Sequence, residues 1–285
     1  MFTHGSVDTP LGRWTHTAWV PDEGSTLVGM IERIWHFDGK TTLRRERVFP
    51  NGMLEIIIHL DERYRLIEGE GPEVCGVTGV TGMQLGPLLI EAPERPCRVI
   101  GIRLHPLGAR AVLGLPLTEI AGLNVDLPDL LGAEADHLAD ACASAPDAEA
   151  TIHAAVRWCT ARMTVAFARV RPEPVAAWAA SEIVRRAGAV SVAELRDHTG
   201  ASRARLTTAF RDWVGVTPKM YARIHRFSRT MNRLVGWSGT LSELAVECGY
   251  YDQPHMNAEF RALSGLAPRE FLASLRYPGS VSLAE

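Results

Sequence analysis

The feature that most restricts this chain is a duplication in its last third. The segment SVAELRDHTGASRARLTTAFRDWVGVTP (191–218) aligns with TLSELAVECGYYDQPHMNAEFRALSGLAP (240–268), at an offset of 49 residues before an internal turn and 50 after it. Leu195 matches Leu244, Gly200 matches Gly249 and Phe210 matches Phe260. Gly215 matches Gly265, Pro218 matches Pro268, Tyr221 matches Phe271 and Arg226 matches Arg276. Each copy reads as a helix, a tight glycine turn and a second helix, the order of a helix-turn-helix unit. Such a unit lays its second helix in the DNA major groove, with early residues toward base edges. The later residues (Leu206 and Phe210, Met256 and Phe260) turn into the core.

Around this repeat the 3.6-residue pattern predicts seven helices, over 175–187, 191–198, 202–213, 218–235, 240–248, 252–263 and 268–276. Ser191, Ser202, Thr240 and Asp252 stand where N-caps belong, and Glu194 completes a capping-box spacing with Ser191. Pro218 and Pro268 fall at first-turn positions, where the missing N–H costs nothing. Along the helix that bridges the copies, Arg223, Arg226, Arg229 and Arg233 form a stripe. It suits phosphate tracking or pairing with nearby acidic residues.

Residues 30–112 read as mostly β. MLEIIIHL (53–60) is a compact β-branched run after a Pro-Asn-Gly turn. In CRVIGIRLHP (97–106), Val99, Gly101, Arg103 and His105 alternate with Ile100, Ile102 and Leu104, so one face is expected buried and the other toward solvent or a lumen. The Gly-rich 76–87 fits turns between short strands. LGARAVLGLP and LTEIAGL read as short helices, and 133–169 is helix-prone apart from an interruption at 144–147. Arg171-Pro172-Glu173-Pro174 is a stiff connector. The expected fold class is α+β: an antiparallel barrel or sandwich-like domain (1–132), a helical linker (133–173), an all-α tandem helix-turn-helix domain (174–277) and a tail (278–285).

The back of the chain carries the basic charge. Residues 1–169 hold 15 Lys and Arg against 22 Asp and Glu, whereas 170–285 hold 15 against 11, a distribution suited to a back half that meets a polyanion. The five cysteines are scattered and lack a C-x-x-C pair, so reduced, buried thiols are expected rather than zinc or disulfides. Neither a secretory signal nor a membrane span is evident, and a cytoplasmic location is the expectation.

The pattern A-V-E-C-G-Y-Y-D-Q-P-H-M-x-x-E-F-R-x-x-x-G-x-x-P (245–268) resembles the second helix-turn-helix of AraC/XylS-type transcription regulators, and G-V-T-P-K-M-Y-A-R-I-H-R-F (215–227) resembles the bridge after their first. A weaker likeness runs through I-E-R-I-W-H-F (31–37), V-F-P-N-G-M-L-E-I-I (48–57) and G-I-R-L-H-P-L-G-A-R (101–110), which resemble a barrel-like module often placed before this DNA-binding half. By resemblance, Ala204, Thr207 and Thr208 face bases in the first unit, flanked by Arg203 and Arg205 for guanine or phosphate. In the second unit the candidates are Gln253, His255, Asn257 and Ala258. One departure stands out: where the family has a small residue after the first helix's Leu, the second copy keeps Ala245 but the first carries Arg196. Arg196 must snorkel outward or loosen that unit.

The same resemblance implies double-stranded DNA as partner, a small effector in the front domain, and RNA polymerase and a second copy of the chain as further partners. Candidate effector residues are Trp35, His36, Glu55, His59, Arg103 and His105. A front domain that only dimerises is the alternative, with the stripe His153, Val156, Cys159 and Met163 as dimer contact or barrel packing. No cofactor is expected. A metal site built on His59, Asp61, Glu62 and His105 lacks an H-x-H pair, and no hydrolase nucleophile motif or activated thiol supports an enzyme.

Overall fold

The structure is a computed structural model that describes residues 1–68, 71–275 and the backbone of 282–284. The front half begins with β1 (Phe2–Thr9), β2 (Gly12–Trp19), β3 (Ile31–Thr41), β4 (Arg45–Val48), β5 (Leu54–His59) and β6 (Arg65–Glu68). It continues with β7 (Gly71–Val74), β8 (Thr78–Thr81), β9 (Leu88–Glu91) and β10 (Cys97–Leu104). Then come α1 (Pro106–Leu113), a 3₁₀ turn (Leu117–Glu119), β11 (Asn124–Asp126), α2 (Leu127–Leu131), α3 (Ala133–Ala143) and α4 (Ala148–Arg169). Two antiparallel sheets result, one ordered β1-β2-β3-β10-β5-β8-β11, the other built on β4-β9-β6-β7 with β12 (Ser282–Ala284) at its edge.

The alternation expected of β10, which its neighbour β5 shares, determines how the larger sheet is used. Ile56, Ile58, Ile100 and Ile102 are fully buried, on the face that α1 and α4 cover. The opposite face carries Glu55, Ile57, His59, Val99 and Arg103 into a cavity between the sheets. In the stripe on α4, Cys159 and Met163 are buried and His153 sets its ring edge-on to Phe2 at 5.3 Å. The stripe therefore packs against the barrel. The β1–β2 hairpin lies ahead of the predicted β region and was not anticipated. All five cysteines are free, and all but Cys75 are buried.

The back half is helical: α5 (Pro174–Arg185), α6 (Val192–Thr199), α7 (Arg203–Val214), α8 (Pro218–Leu234), α9 (Leu241–Glu247), α10 (Gln253–Ser264) and α11 (Pro268–Ser274). Each agrees with its expected span to within two residues, except that the predicted end at 276 and the Arg226–Arg276 match lie outside the described residues. The caps form as predicted: Ser191, Ser202, Thr240 and Asp252 accept from the backbone N–H of Glu194, Arg205, Glu243 and His255. Thr217 caps α8, and Thr240 with Glu243 makes a second capping box. Gly200 (φ 63°) and Gly249 (φ 80°) end the first helix of each unit in the left-handed region.

Candidate nucleic-acid interface and ligand cavity

In each unit, one face of the second helix closes the core and the other is open. Leu206, Phe210, Met256 and Phe260 are fully buried. On α7, Arg203, Ala204, Arg205 and Thr208 are exposed and Thr207 half-buried. Arg205 is already engaged: its Nη2 donates to Glu173 Oε1 in the interdomain connector at 2.7 Å. Thr208 borders a cleft shared with Leu85, Thr118 and Ala121 of the front domain.

On α10, Gln253 is half-buried and its Oε1 accepts from Ser242 Oγ at 2.9 Å. The Tyr251 N–H points at His255 Nδ1 (3.4 Å), so the ring proton sits on Nε2, which faces Glu259 at 3.6 Å. That ring also stands edge-on to Tyr250, 5.4 Å away. Asn257 is half-buried with Oδ1 unpartnered, and Ala258 is exposed. Sequence reasoning passed over Tyr251, which is 89% exposed just before the helix. An aromatic residue immediately before the Asp252 cap of α10 was the available signal.

The arginine stripe divides. Glu259 is 12% exposed and takes both Arg223 Nε (2.8 Å) and Arg226 Nη2 (3.0 Å), while Arg226 also lies over the Tyr250 ring. Burial pushes the Glu259 carboxyl up, but Arg226 and Arg223 outweigh this and hold it below the usual carboxylate range. Arg233 pairs with Glu247. Three of the stripe's guanidinium groups, those of Arg223, Arg226 and Arg233, thus tie α8 to its neighbours.

The two units are unequal in the way Arg196 foretold. Ala245 is fully buried, and α9 packs on both α10 and α8. Arg196 is exposed, Leu195 is the buried residue of α6, and the backbones of α6 and α7 approach less closely than those of α9 and α10. His198, near the end of α6, stacks on Trp178 of α5 at 3.9 Å.

In the front domain a cavity of about 660 Å³ lies between the sheets. Four of the six candidate effector residues line it: Trp35, Glu55, His59 and Arg103. Trp35 Nε1 donates to Glu55 Oε1 at 2.8 Å, and Arg103 Nε donates to the same oxygen at 3.2 Å. His59 Nδ1 donates to the Gly76 carbonyl at 3.0 Å, and burial lowers its pKa.

The other two candidates are corrected. His36 is one residue out of phase with Trp35, so the period-2 strand buries it on the opposite face beside Thr17 and Ile100. His105 has left β10 to stand at the start of α1, off the cavity. The register, which pairs His59 with Val99 and Leu54 with Leu104, puts His105 at the opposite end of β10 from His59, Asp61 and Glu62, and Asp61 is occupied by Arg98 (2.9 Å). Trp14, Phe37 and Tyr64, which also line the cavity, were missed. Phe37 was legible, being two residues beyond Trp35 on the same strand.

The cavity wall continues into the DNA-binding half. Val48, Asn51 and Met53 line the cavity, while Phe49, between them in sequence, is 2% exposed and meets Phe227 (6.4 Å) and Phe271 (5.7 Å). Gly52 lies so close to the His225 ring that a Cβ there would stand 2.5 Å from Nε2. A second contact sets Arg110 of α1 over Trp213 of α7 at 5.2 Å, with Asp212 at 3.7 Å.

Comparison with known proteins fits this division. Residues 195–274 match the family model described as a helix-turn-helix domain, and residues 24–126 match a domain of unknown function (DUF6597). The HTH-type transcriptional regulator ArgR of Pseudomonas aeruginosa is 27% identical over 77 residues, 27% of this chain and 23% of that protein. The chain thus spans about a quarter of the length of that curated relative. ToxT from Vibrio cholerae aligns over 82% of this chain and 97% of its own, at 11% identity and a TM-score of 0.45. The C-terminal domain of AraT, a response regulator from Geobacillus stearothermophilus, aligns over 39% of this chain and 94% of its own, at 15% identity and a TM-score of 0.35. With the duplicated unit seen in the fold and its motif carried by α9 and α10, residues 195–274 form a helix-turn-helix domain, as the resemblance in the sequence implied.

Proposed function

We propose that the chain binds operator DNA through the open faces of α7 and α10, and that a small molecule in the front-domain cavity controls this binding. One observation carries the control: residues 48–53 serve at once as cavity wall (Val48, Asn51, Met53) and as the docking surface for α8 and α11 (Phe49, Gly52). A ligand that moves this segment changes the seat of the second reader, the differential contact that effector control requires. The readers are Arg203, Ala204, Arg205, Thr207 and Thr208 in the first unit, and Gln253, His255, Asn257 and Ala258 in the second. Tyr251 joins them. The domains divide at the connector 170–173, before Pro174 opens α5. The protein acts in the cytoplasm, as a regulator and not as an enzyme, where RNA polymerase and a second copy are its further partners.

The test is fluorescence anisotropy with overlapping fragments of the gene's own promoter, run with and without compounds that raise the protein's melting temperature. Salt-sensitive binding to one fragment, altered by a stabilising compound, is expected. Equal binding to every fragment overturns the reader assignment. Binding indifferent to every stabilising compound overturns control through the cavity.

A further inference from the structure

We propose that the front-domain cavity selects an organic cation, a protonated amine or quaternary ammonium carried on an apolar body. This rests on the reading of the cavity as the effector site and adds its chemical class.

The walls are aromatic where a ligand body would lie. Trp14 and Phe37 sit with ring centroids 6.0 Å apart, tilted by 33°. The Trp35 indole lies across Gly101, where a Cβ would stand 2.2 Å from the ring, so this stretch of β10 is covered by an aromatic surface. Across the cavity, Tyr64 and His59 sit 6.0 Å apart. Aromatic faces carry a negative quadrupole and attract a cation, most strongly where water is excluded.

The charges point the same way. Among the described lining residues, Arg103 is the one guanidinium and there is no lysine. Arg103 is already matched by Glu55, whose Oε1 also takes the Trp35 N–H. Burial lowers the His59 pKa and outweighs the opposing effect of its Nδ1–H bond to the Gly76 carbonyl, so the ring favours its neutral form. Four further carboxylates, Glu46, Glu73, Asp126 and Asp129, stand along the same cavity. An anionic ligand would meet this negative field with its one candidate partner occupied. A cation gains both the aromatic faces and the field.

The test uses the full-length chain and three probes that share a phenylbutyl body: 4-phenylbutyl-trimethylammonium, 4-phenylbutan-1-ol and 4-phenylbutyrate. Binding is read by tryptophan fluorescence, since Trp14 and Trp35 are in the wall, and by thermal shift. The cation is expected to bind about tenfold more tightly than the alcohol and the anion. The double variant Asp126→Asn, Asp129→Asn should weaken the cation several-fold and leave the alcohol unchanged. Glu55→Gln, which strips Arg103 of its partner, should narrow or reverse the preference for cation over anion. Equal or tighter binding of the anion overturns the cation proposal while the effector reading stands. If none of the three perturbs fluorescence or melting at millimolar concentration, both fall.

Discussion

Phe49, just past β4 of the front domain, sets its ring 5.7 Å from that of Phe271 in the final helix, with the planes at 65°. Phe271 in turn meets Phe260 of α10 at 5.5 Å, and Phe227 closes the group. Edge-to-face rings packed this way add directional preference to the area they bury. A residue of the front half therefore completes the core of the helix-turn-helix half. Phe49→Ala opens a hole in that shared core and should cost about 3–5 kcal/mol of unfolding free energy. Urea denaturation is the measurement, and a loss below about 1 kcal/mol would show that the ring is not a core element.

The two copies of the repeat should respond in opposite ways to exchange at the position after their first-helix Leu. Ala245 is fully buried, so Ala245→Arg forces a guanidinium into an apolar contact between α9 and its neighbours, with an expected loss above about 3 kcal/mol. Arg196 is exposed, and Arg196→Ala should move stability by no more than about 0.5 kcal/mol. If the second change stabilises the chain strongly, Arg196 is holding α6 away from α7, and the looseness of the first unit is the arginine's doing.

His225 makes the interdomain contact sensitive to acid. The ring is nine-tenths buried between Gly52 and Tyr221, with Nε2 unpartnered. Burial, with a smaller contribution from nearby His105, pushes its pKa down to about 4. The unfolded chain protonates at about 6.5. Between these values the unfolded state binds the extra proton, so stability is unaffected above about 6.5 and falls as pH drops toward 4, by up to about 1.4 kcal/mol per pH unit. Histidines 36, 59 and 105 are also lowered by burial and contribute in the same direction. Comparing His225→Gln with the parent isolates one share: the variant's melting temperature should fall less steeply from pH 6.5 to 4.5. Parallel curves would remove His225 from the account.

How much of this was legible follows from how local each signal is. The capped helices of the repeat announce themselves within four residues, through Ser191 and Glu194 or Asp252 and the N–H of His255, and their boundaries were readable. Strand alternation in 97–106 put Arg103 on the face opposite Ile100 and Ile102, while Glu55 and His59 were only named as candidates on a predicted strand. It also argued against grouping Trp35 with His36, since neighbours in a strand face opposite ways. The β1–β2 hairpin escaped because FTHGSVDT and GRWTHTAW lack an aliphatic run, and Trp14 went with it. The docking of Phe49 has no local signature: its partners Phe227, Phe260 and Phe271 lie far along the chain, and only the folded arrangement of both halves brings them together.

In the free protein Gln253 Oε1 already accepts from Ser242 Oγ, so a role in reading DNA would start from an engaged oxygen. Bidentate recognition of adenine needs that oxygen as acceptor and the amide nitrogen as donor, so the internal bond must be shared or broken. Gln253→Ala should weaken specific binding by about 1–3 kcal/mol, toward the low end because of this competition. Ser242→Ala, which frees the oxygen, should leave binding unchanged or tighten it. Affinity for the cognate promoter fragment that is unchanged in Gln253→Ala removes the residue from the reader set.

Arg205 faces a sharper competition. Its guanidinium lies 2.7 Å from the Glu173 carboxylate in the connector between the halves, on the surface of the helix that should enter the groove. In water such an exposed pair contributes little to stability, about 0–1 kcal/mol, so Glu173→Gln should leave the melting temperature nearly unchanged. Its effect on DNA is of another kind. The neutral amide no longer competes with phosphate or guanine for Arg205 and no longer adds a negative charge near the duplex. Affinity should rise several-fold at low salt, and the slope of log K against log salt should steepen by about one phosphate's worth. Arg205→Ala, made in the same background, should cancel both effects. An unchanged slope in Glu173→Gln would mean that Arg205 never leaves the connector, and that the first unit reads DNA without it.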